Sequence, residues 1–343
     1  MTVFWNEPDF DDHEQVLFVR DAASGLTAII AIHSSHLGPA AGGTRFWHYA
    51  DRADAIRDAL RLSRGMSYKN AMAGLPAGGG KAVILADENR TKTPEMLAAF
   101  ARAVEGLGGQ YVTAQDVNIT QDDMLEIAKH TSHVGGMPDQ GGDPGPYTAR
   151  GIYLGVKAAA RRALGAGDLK GVRIAVQGVG SVGGGLARHL AKAGADLILG
   201  DMNADKAAAL ADELGAQAVS AEEILTVEAD IVSPNALGAV LTEESIARLR
   251  TRVVAGGANN QLATGSEGKF LRDRGILYAP DYVINAGGII TVLRHIDGAD
   301  EDTINARIDR IPDRLEAIWQ ESENTGEAPD VVADKMAQRL IGR

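Results

Sequence analysis

Runs of β-favouring residues separated by turn-forming clusters open the chain. Val16 to Arg20 and Leu26 to His33 read as two strands joined by the turn Asp21-Ala-Ala-Ser-Gly25. Gly38 to Gly43 is Gly- and Pro-rich and predicts a loop. From Asp51 to about Asn70 the residues are helix formers, and the apolar positions Ile56, Ala59, Leu60 and Met66 recur at helical spacing. Gly78-Gly-Gly80 predicts a second glycine loop leading into a buried strand over Ala82 to Leu85. Pro94 opens a helix reaching about Gly106, and Tyr111 to Ala114 predicts a strand that ends at Gln115-Asp116.

The stretch GGMPDQGGDPGP, Gly135 to Pro146, has neither periodicity nor apolar content and predicts the crossing between two domains. Beyond it, strands and helices alternate. The helices are Ala149 to Leu164, Val182 to Lys192 and Asp205 to Leu214; the strands are Val172 to Gln177, Leu197 to Leu199, Ile231 to Val232, Val253 to Ala255 and Leu277 to Tyr278. That alternation predicts a doubly wound parallel sheet. Asp302 to Asn324 reads as one long amphipathic helix. The expected organisation is an α/β fold of two domains: an N-terminal α/β substrate and oligomerisation domain over residues 1–146, a Rossmann dinucleotide-binding domain over 147–325, and a tail over 326–343 that packs back on an earlier element.

Composition narrows the chemistry. The 343 residues contain 34 Lys and Arg against 46 Asp and Glu, a net charge of −12, so a nucleic-acid footprint is not expected. The absence of cysteine removes disulfides, thiolate metal sites and a thiol nucleophile. The acidic start MTVFWNEPDFDDHE is unlike a signal peptide, and no apolar run has the length of a membrane span, so a cytoplasmic location is expected.

Gly178-Val-Gly180-Ser-Val-Gly183 follows a predicted strand and opens a predicted helix, the context in which this spacing carries meaning. The first glycine permits the turn, the second lets backbone N–H groups approach a pyrophosphate, and the third lets strand and helix pack closely. Ser181 and Val182 would begin the helix whose N-terminus holds the phosphates. Asp201 lies about 20 residues further on, where a carboxylate binds a ribose 2′-hydroxyl and repels a 2′-phosphate, so NAD is favoured over NADP.

Two lysines stand beside backbone-rich segments: Lys69 near the end of the Asp51 helix, on one face with Met66, and Lys81 directly after three glycines. An ammonium partly desolvated at the mouth of a strand, with Lys69 nearby, would have a depressed pKa and could serve as a general base. Asp116, at the end of another strand, could face the same space. His130 and His133 fall three apart on a predicted helix with no third ligand in view, so no metal site is expected.

Seven strings extend this picture: LGPAAGGTR (from Leu37), DALRLSRGMSYKNAMAGLPAGGGKAV (from Asp58), TAQDV (from Thr113), QGVGSVG (from Gln177), SPNALGAVL (from Ser233), GGANNQL (from Gly256) and YAPDYVINAGGIITV (from Tyr278). Together they resemble the leucine, phenylalanine and valine dehydrogenases, relatives of glutamate dehydrogenase, over nearly the whole chain. The resemblance implies that Lys69 binds the substrate α-carboxylate, that Lys81 activates water at the imine carbon, and that Asp116 exchanges protons with the substrate amine. It also implies that Gly42, Gly43 and Asn260 surround the substrate, and that Thr148, Asn235, Ala258, Asn259 and Asn285 belong to the coenzyme site. The implied reaction is oxidative deamination of an L-amino acid to a 2-oxo acid and ammonia by a homo-oligomeric, NAD-dependent enzyme.

In the glutamate branch a lysine and a hydroxyl residue recognise the substrate γ-carboxylate; the aligned positions here are Ala41 and Val292. A carboxylate left unpaired against them would cost several kcal/mol, so an apolar amino acid is expected, with Met66, Ala114, Gly135, Ile289 and Val292 as the walls. Ala41 and Gly135 are smaller than the Leu and Thr of leucine-type relatives, which would enlarge the pocket. A leucine or valine type of substrate is favoured, with a phenylalanine type as the alternative. Gln115, Asn118 and Gly145 depart from the family pattern, as does the segment 137–142. Two rivals are a catalytically silent NAD-binding sensor, which would need none of Lys69, Lys81 and Asp116, and a hydroxy-acid dehydrogenase, which would need a histidine in these motifs.

Overall fold

The structure, a computed structural model, describes residues 4–89, 91–137 and 143–343. The chain divides into two units, one of residues 1–142, 292–300 and 337–343, the other of residues 143–291 and 301–336. This division differs from a single boundary near 146, because Val292–Asp300 and the end of the chain group with the first unit. Much of the expected linker, residues 138–142, lies outside the described residues, and the departures at 137–142 are therefore described only for Met137.

Five strands build the first unit's sheet: β1 (Gln15–Asp21), β2 (Leu26–Ser34), β3 (Ala40–Trp47), β4 (Gly78–Leu85) and β5 (Tyr111–Gln115), in the order β1-β2-β4-β3-β5. β2 runs antiparallel to β1 and β4, whereas β3 runs parallel to β4 and β5. Alternate residues of the central strands serve opposite faces, as a two-residue repeat requires. Ile29, Ala31 and Val83 pack with Ala55, Ala59 and Leu60 of α1 (Arg52–Met72). Ala28, Ile30, Ala82 and Ile84 pack with Phe100 of α2 (Pro94–Glu105) and Met124 and Ile127 of α3 (Gln121–Ala128). Caps fix the helix starts: Asp51, Thr93 and Thr120 each accept a backbone N–H of the first turn.

Both segments expected to be glycine loops are strands. Gly38 to Gly43 runs largely into β3, and Gly78 to Gly80 begins β4. The reason is close approach rather than flexibility. A Cβ on Gly79 would lie 2.0 Å from the backbone nitrogen of Ser67 on α1, so helix and strand could not come this near with any larger residue. His130 and His133 also differ from expectation. α3 ends at Ala128, and each histidine lies near a glutamate, Glu126 and Glu105 respectively. Among the described residues no group of His, Asp and Glu is arranged to hold a metal ion.

The second unit carries β6 (Arg173–Gln177), β7 (Asp196–Gly200), β8 (Gln217–Val219), β9 (Ile231–Pro234), β10 (Val253–Val254) and β11 (Leu277–Tyr278). All pairings are parallel, in the order β11-β10-β9-β6-β7-β8, which is the Rossmann arrangement. Its helices begin with α4 (Gly145–Leu164), α5 (Ser181–Lys192) and α6 (Ala204–Leu214). Four short ones follow: α7 (Glu243–Arg248), α8 (Glu267–Asp273), α9 (Asp281–Ile284) and α10 (Gly287–Val292). The long helix expected over Asp302 to Asn324 is two, α11 (Glu301–Asp309) and α12 (Ile311–Thr325). Pro312 in the first turn of α12 has no N–H to continue the ladder and its ring would strike the carbonyl four residues back, so the chain restarts there. Among the described residues no helix is long and apolar enough to cross a membrane.

After the last helix, α13 (Pro329–Leu340), the end of the chain is held within the first unit. Arg343 donates to the carbonyls of Asp11 (2.6 Å), Asp12 (2.7 Å) and His33 (2.9 Å), and to Nε2 of His33 at 2.7 Å. His33 Nδ1 then donates to Ser67 Oγ at 2.7 Å, with the His13 ring 4.9 Å away. Burial, followed by the charges of Arg343 and His13, lowers the His33 pKa to about 4, although Asp11 beside it pulls the other way. Burial likewise lowers that of His13.

Because the folded value lies below the unfolded one, the folded state binds fewer protons. This contribution to stability is complete above pH about 6.5 and is lost as pH falls toward 4, at no more than about 1.4 kcal/mol per pH unit for His33. Thermal unfolding followed from pH 8 to pH 4 should show that decline beginning near 6.5, and the His33→Gln variant should have a shallower slope between 6.5 and 5. Equal slopes would remove His33 from the account.

Candidate active site

Lys81, Gly43 and Ala114 stand at one level across three strands of the first unit, since β3 and β4 pair in register on either side of Gly43 and Gly43 pairs with Ala114. Asp116 follows two residues after Ala114. Gly43 has no side chain, and the space a Cβ would fill is taken by Asp116, whose own Cβ would lie 2.7 Å from it. The absent side chain lets Lys81 reach across β3 and form a direct ion pair with the Asp116 carboxylate. Lys81 is only 5% exposed.

Arg45, also on β3, approaches the same carboxylate with Nε at 3.4 Å and gives Nη1 to Asp58 of α1 at 3.0 Å. Tyr49 donates its hydroxyl to Asp58 at 2.7 Å. The electrostatics follow from this geometry. Burial pushes the Lys81 ammonium below its ordinary range; the Asp116 charge opposes this without reversing it, and Arg45 adds to the depression. Burial alone would raise Asp116, but the Lys81 and Arg45 charges outweigh it and hold the carboxyl below the usual range. Arg45 is thus a cation that acts on Lys81 beside the carboxylate. Arg45 and Asp58 both fall inside strings quoted for the family resemblance, yet they were not selected. The two-residue step from Gly43 to Arg45 was the available signal.

Around this pair the C-terminal turns of α1 lie directly on β3 and β4. Met66 Cγ is 3.1 Å from where a Gly42 Cβ would sit, and Asn70 donates Nδ2 to the carbonyls of Gly78 (2.6 Å) and Ala41 (3.4 Å). Lys69 is half-buried on the same stretch. Ala41 is fully buried in β3. Tyr111 donates its hydroxyl to the Gly42 carbonyl at 2.8 Å. Asn118, which departs from an expected glycine, adopts φ +58° and donates Nδ2 to the Phe46 carbonyl at 3.1 Å; asparagine tolerates the left-handed conformation that the turn requires.

Gly135 and Val292 meet in the first unit, and a further residue joins them. The ring of His295, in a short 3-10 turn over Arg294–Ile296, lies with Cε1 2.9 Å from a Cβ placed on Gly135. The volume expected from glycine at 135 is therefore already occupied. No motif marked His295, because it is distant from Gly135 in sequence.

In the second unit the three motif glycines have three distinct surroundings. Gly178 has φ +84° and turns the chain out of β6. A Cβ on Gly183 would lie 1.9 Å from the Gly178 carbonyl oxygen, so only glycine permits this packing. A Cβ on Gly180 would meet nothing within 4 Å, leaving open space in front of the N-terminus of α5, where Ser181 and Val182 begin the helix. Asp201 accepts from the backbone N–H of Val179 (2.8 Å) and Asn203 (2.9 Å). Those bonds outweigh burial and keep it below the usual carboxylate range.

Asn235 accepts from Gly257 N at 2.8 Å, and Asn285 donates to Gly257 O (3.1 Å) and to Asn259 (2.8 Å). The Oδ1 of Asn285 is buried with no partner among the described residues, a polar atom left over beside this loop. Ala258 is buried and Asn260, at φ +53°, is exposed on the same loop. Thr148, on α4, lies against Gly288, and Ile289 follows on α10. Asn260 and Ile289, expected around the substrate, belong to the second unit, as do Thr148, Asn235 and Asn285. The Gly145 departure has a local reason: a Cβ there would approach Ser181 Oγ to 2.5 Å.

The family model described as Glu/Leu/Phe/Val dehydrogenase, dimerisation domain, matches residues 13–133, and that described as Glutamate/Leucine/Phenylalanine/Valine dehydrogenase matches residues 199–329. A leucine dehydrogenase from Geobacillus stearothermophilus is 46% identical over 96% of this chain and 91% of its own length. A valine dehydrogenase from Streptomyces albus is 44% identical over 97% and 93%. The crystal structure of an L-tryptophan dehydrogenase from Nostoc punctiforme superposes with a TM-score of 0.88 at 42% identity, covering 96% of each chain.

The Lys81–Asp116 pair makes a stability prediction. Removing one member of a buried ion pair leaves the other charge less well compensated, at a cost of up to about 3 kcal/mol, whereas removing both costs less. Arg45 still faces Asp116 when Lys81 is removed, so in urea unfolding Lys81→Met should lose about 1 to 3 kcal/mol, and the double variant Lys81→Met with Asp116→Leu should recover part of it. A double variant no more stable than the single one would contradict the coupling.

Proposed function

The chain belongs to the Glu/Leu/Phe/Val dehydrogenase family and is an amino-acid dehydrogenase; from that premise we propose that it catalyses the reversible, NAD-dependent oxidative deamination of a leucine- or valine-type L-amino acid. The observation that carries this reading is the buried Lys81–Asp116 pair on a glycine floor, with apolar Ala41 and Ala114 beside it.

An amino acid arrives as a zwitterion. Lys69 and the backbone N–H groups of Gly42 and Gly43 are assigned to its carboxylate, and ionised Asp116 to its ammonium, whose proton it exchanges. NAD⁺, when bound, supplies the two-electron acceptor for the hydride on the substrate Cα. Burial favours the uncharged amine of Lys81, which can then take a proton from the water that adds to the resulting iminium carbon. The carbinolamine so formed expels ammonia, with the proton returned through the same pair, and leaves a 2-oxo acid. The balance is one amino acid zwitterion, one water and one NAD⁺ to one 2-oxo acid anion, ammonium, reduced coenzyme and one proton.

The second unit's residues suit that coenzyme. The open space at Gly180 faces a helix N-terminus suited to a pyrophosphate, the unpartnered Asn285 oxygen offers an acceptor, and ionised Asp201 favours a 2′-hydroxyl over a 2′-phosphate. Thr148, Asn235, Ala258 and Asn259 are assigned to the same coenzyme. Met66, Gly135, Ile289 and Val292, with Ala41 and Ala114, are assigned to the substrate side chain, and Asn260 to the substrate. Burying a γ-carboxylate against Ala41 and Val292 with no cation would cost several kcal/mol, so glutamate is rejected. The dimerisation-domain match supports a homo-oligomer.

Absorbance of the reduced nicotinamide, followed with L-leucine, L-valine, L-phenylalanine and L-glutamate and with either coenzyme, should give turnover with the branched aliphatic substrates and NAD⁺. Lys81→Ala should lower kcat by on the order of 10² or more. Turnover of glutamate alone, a strong NADP⁺ preference, or near-normal kcat in Lys81→Ala would each defeat a separate part of the reading. Gly180→Ala should fold with stability within about 1 kcal/mol of the parent, because its Cβ meets open space, yet raise the KM for NAD⁺ at least tenfold. An unchanged KM would place the pyrophosphate elsewhere.

A further inference from the structure

The first unit contains a side chain that no motif selected and no step above uses. His295 is half-buried, and burial holds its pKa below the ordinary histidine value, so the ring is uncharged at neutral pH. Its Nδ1 lies 3.3 Å from the Val292 carbonyl and, in the neutral ring, donates to it. The Cε1 edge is laid against Gly135, where it occupies the place of a side chain. The residue after Gly135 is also glycine, and a Cβ there would stand 3.3 Å from Val292 Cγ1. Two consecutive glycines thus receive two side chains from one segment, residues 292–295.

The position of this wall follows from the backbone. Gly135 donates its N–H to the Thr113 carbonyl at 2.7 Å, and Thr113 bridges Val134, so the segment runs beside β5 as a further strand position. From Gly43, over which Lys81 and Asp116 meet, to Gly135 is therefore two interstrand steps, roughly 10 Å at the usual strand spacing. Along that span an indole or benzyl group reaches further from the substrate Cα than an isopropyl or isobutyl group, so it is the first to meet the imidazole over Gly135. With Nδ1 used as donor, the remaining nitrogen is an acceptor and offers nothing to a carboxylate.

We propose that His295 is the specificity-determining residue of the amino-acid site: by filling the space over Gly135 it shortens the side-chain pocket, which selects branched aliphatic over aromatic amino acids. This inference rests on the reading of Gly135 and Val292 as walls of that pocket. Its consequence is that the pocket is bounded by a side chain supplied from the 3-10 turn, and that truncating this side chain lengthens the pocket.

The test compares kcat/KM for L-leucine and L-phenylalanine, with NAD⁺, in the full-length protein and in His295→Ala, His295→Val and His295→Met. The ratio of phenylalanine to leucine should rise at least tenfold in His295→Ala and in the same direction in His295→Val, which keeps an apolar side chain should the alanine variant fail to fold. His295→Met, of similar volume, should retain the parent ratio. Pocket-size discrimination of this kind spans about 10- to 200-fold. A parallel loss for both substrates in the truncated variants, or a ratio that moves equally in His295→Met, overturns the proposal. A parent protein that oxidises phenylalanine as well as leucine overturns it too, while leaving the amino-acid dehydrogenase reading intact. A parent inactive on every amino acid offered defeats the underlying reading of the site, and this proposal with it.

Discussion

A buried lysine ammonium joined to a partly buried carboxylate sets the terms for the rest of the first unit. Each charge would be strongly unfavourable alone in such surroundings, and the attraction between them offsets the loss of hydration only at direct contact. Contact requires that nothing stand between β4 and the end of β5. Gly43 provides that clearance, and the residues that hold the pair extend outward from it: Arg45 against Asp116, Asp58 against Arg45, and Tyr49 against Asp58. The arrangement ties the sheet to α1, the helix that also bears Met66 and Lys69.

Chemically, the pair is held between two opposing demands. An isolated buried lysine would lose its proton readily and an isolated buried aspartate would keep one. Together, Asp116 stays ionised while Lys81 stays depressed, because burial acts on the lysine more strongly than one partly solvated carboxylate can compensate. Arg45 adds to this asymmetry: its charge favours the ionised carboxylate of Asp116 and disfavours the ammonium of Lys81.

Most of the second unit could be read from the chain because its signals are local: a strand, a turn with φ > 0 at Gly178, a close-packed Gly183 and an acidic residue at the end of the next strand. Lys81 and Asp116 stood out for the same reason: three glycines directly precede the one, and a strand ends at the other. What escaped was non-local. The glycine-rich starts of β3 and β4 looked like loops because glycine carries no periodicity, and only neighbours distant in sequence, such as Ser67 against Gly79 and Asp116 against Gly43, make those glycines necessary. β8, three residues long with two of them exposed, has no hydrophobic pattern to detect. The break before α12 was legible in Pro312, but the amphipathic repeat on both sides of it suggested continuity. Arg45 and His295 needed a partner distant in sequence before either had a meaning.

Glycine has two opposite meanings in this chain, and only the neighbours distinguish them. At Gly180 the missing side chain leaves open room in front of a helix N-terminus; at Gly183 the same absence is consumed by a carbonyl oxygen, and at Gly135 by an imidazole. A substitution to glycine therefore adds volume to a pocket only where no other group moves into the space. Comparing residue sizes along aligned sequences assumes an unchanged surrounding wall. In this protein the space over Gly135 is filled by a side chain from position 295, so the room there depends on the pair and not on either residue alone. Side-chain preference in such a site is a property of contacts between segments distant in sequence, whereas the reacting groups are carried by contiguous motifs. Reaction type is accordingly the easier of the two to read from sequence.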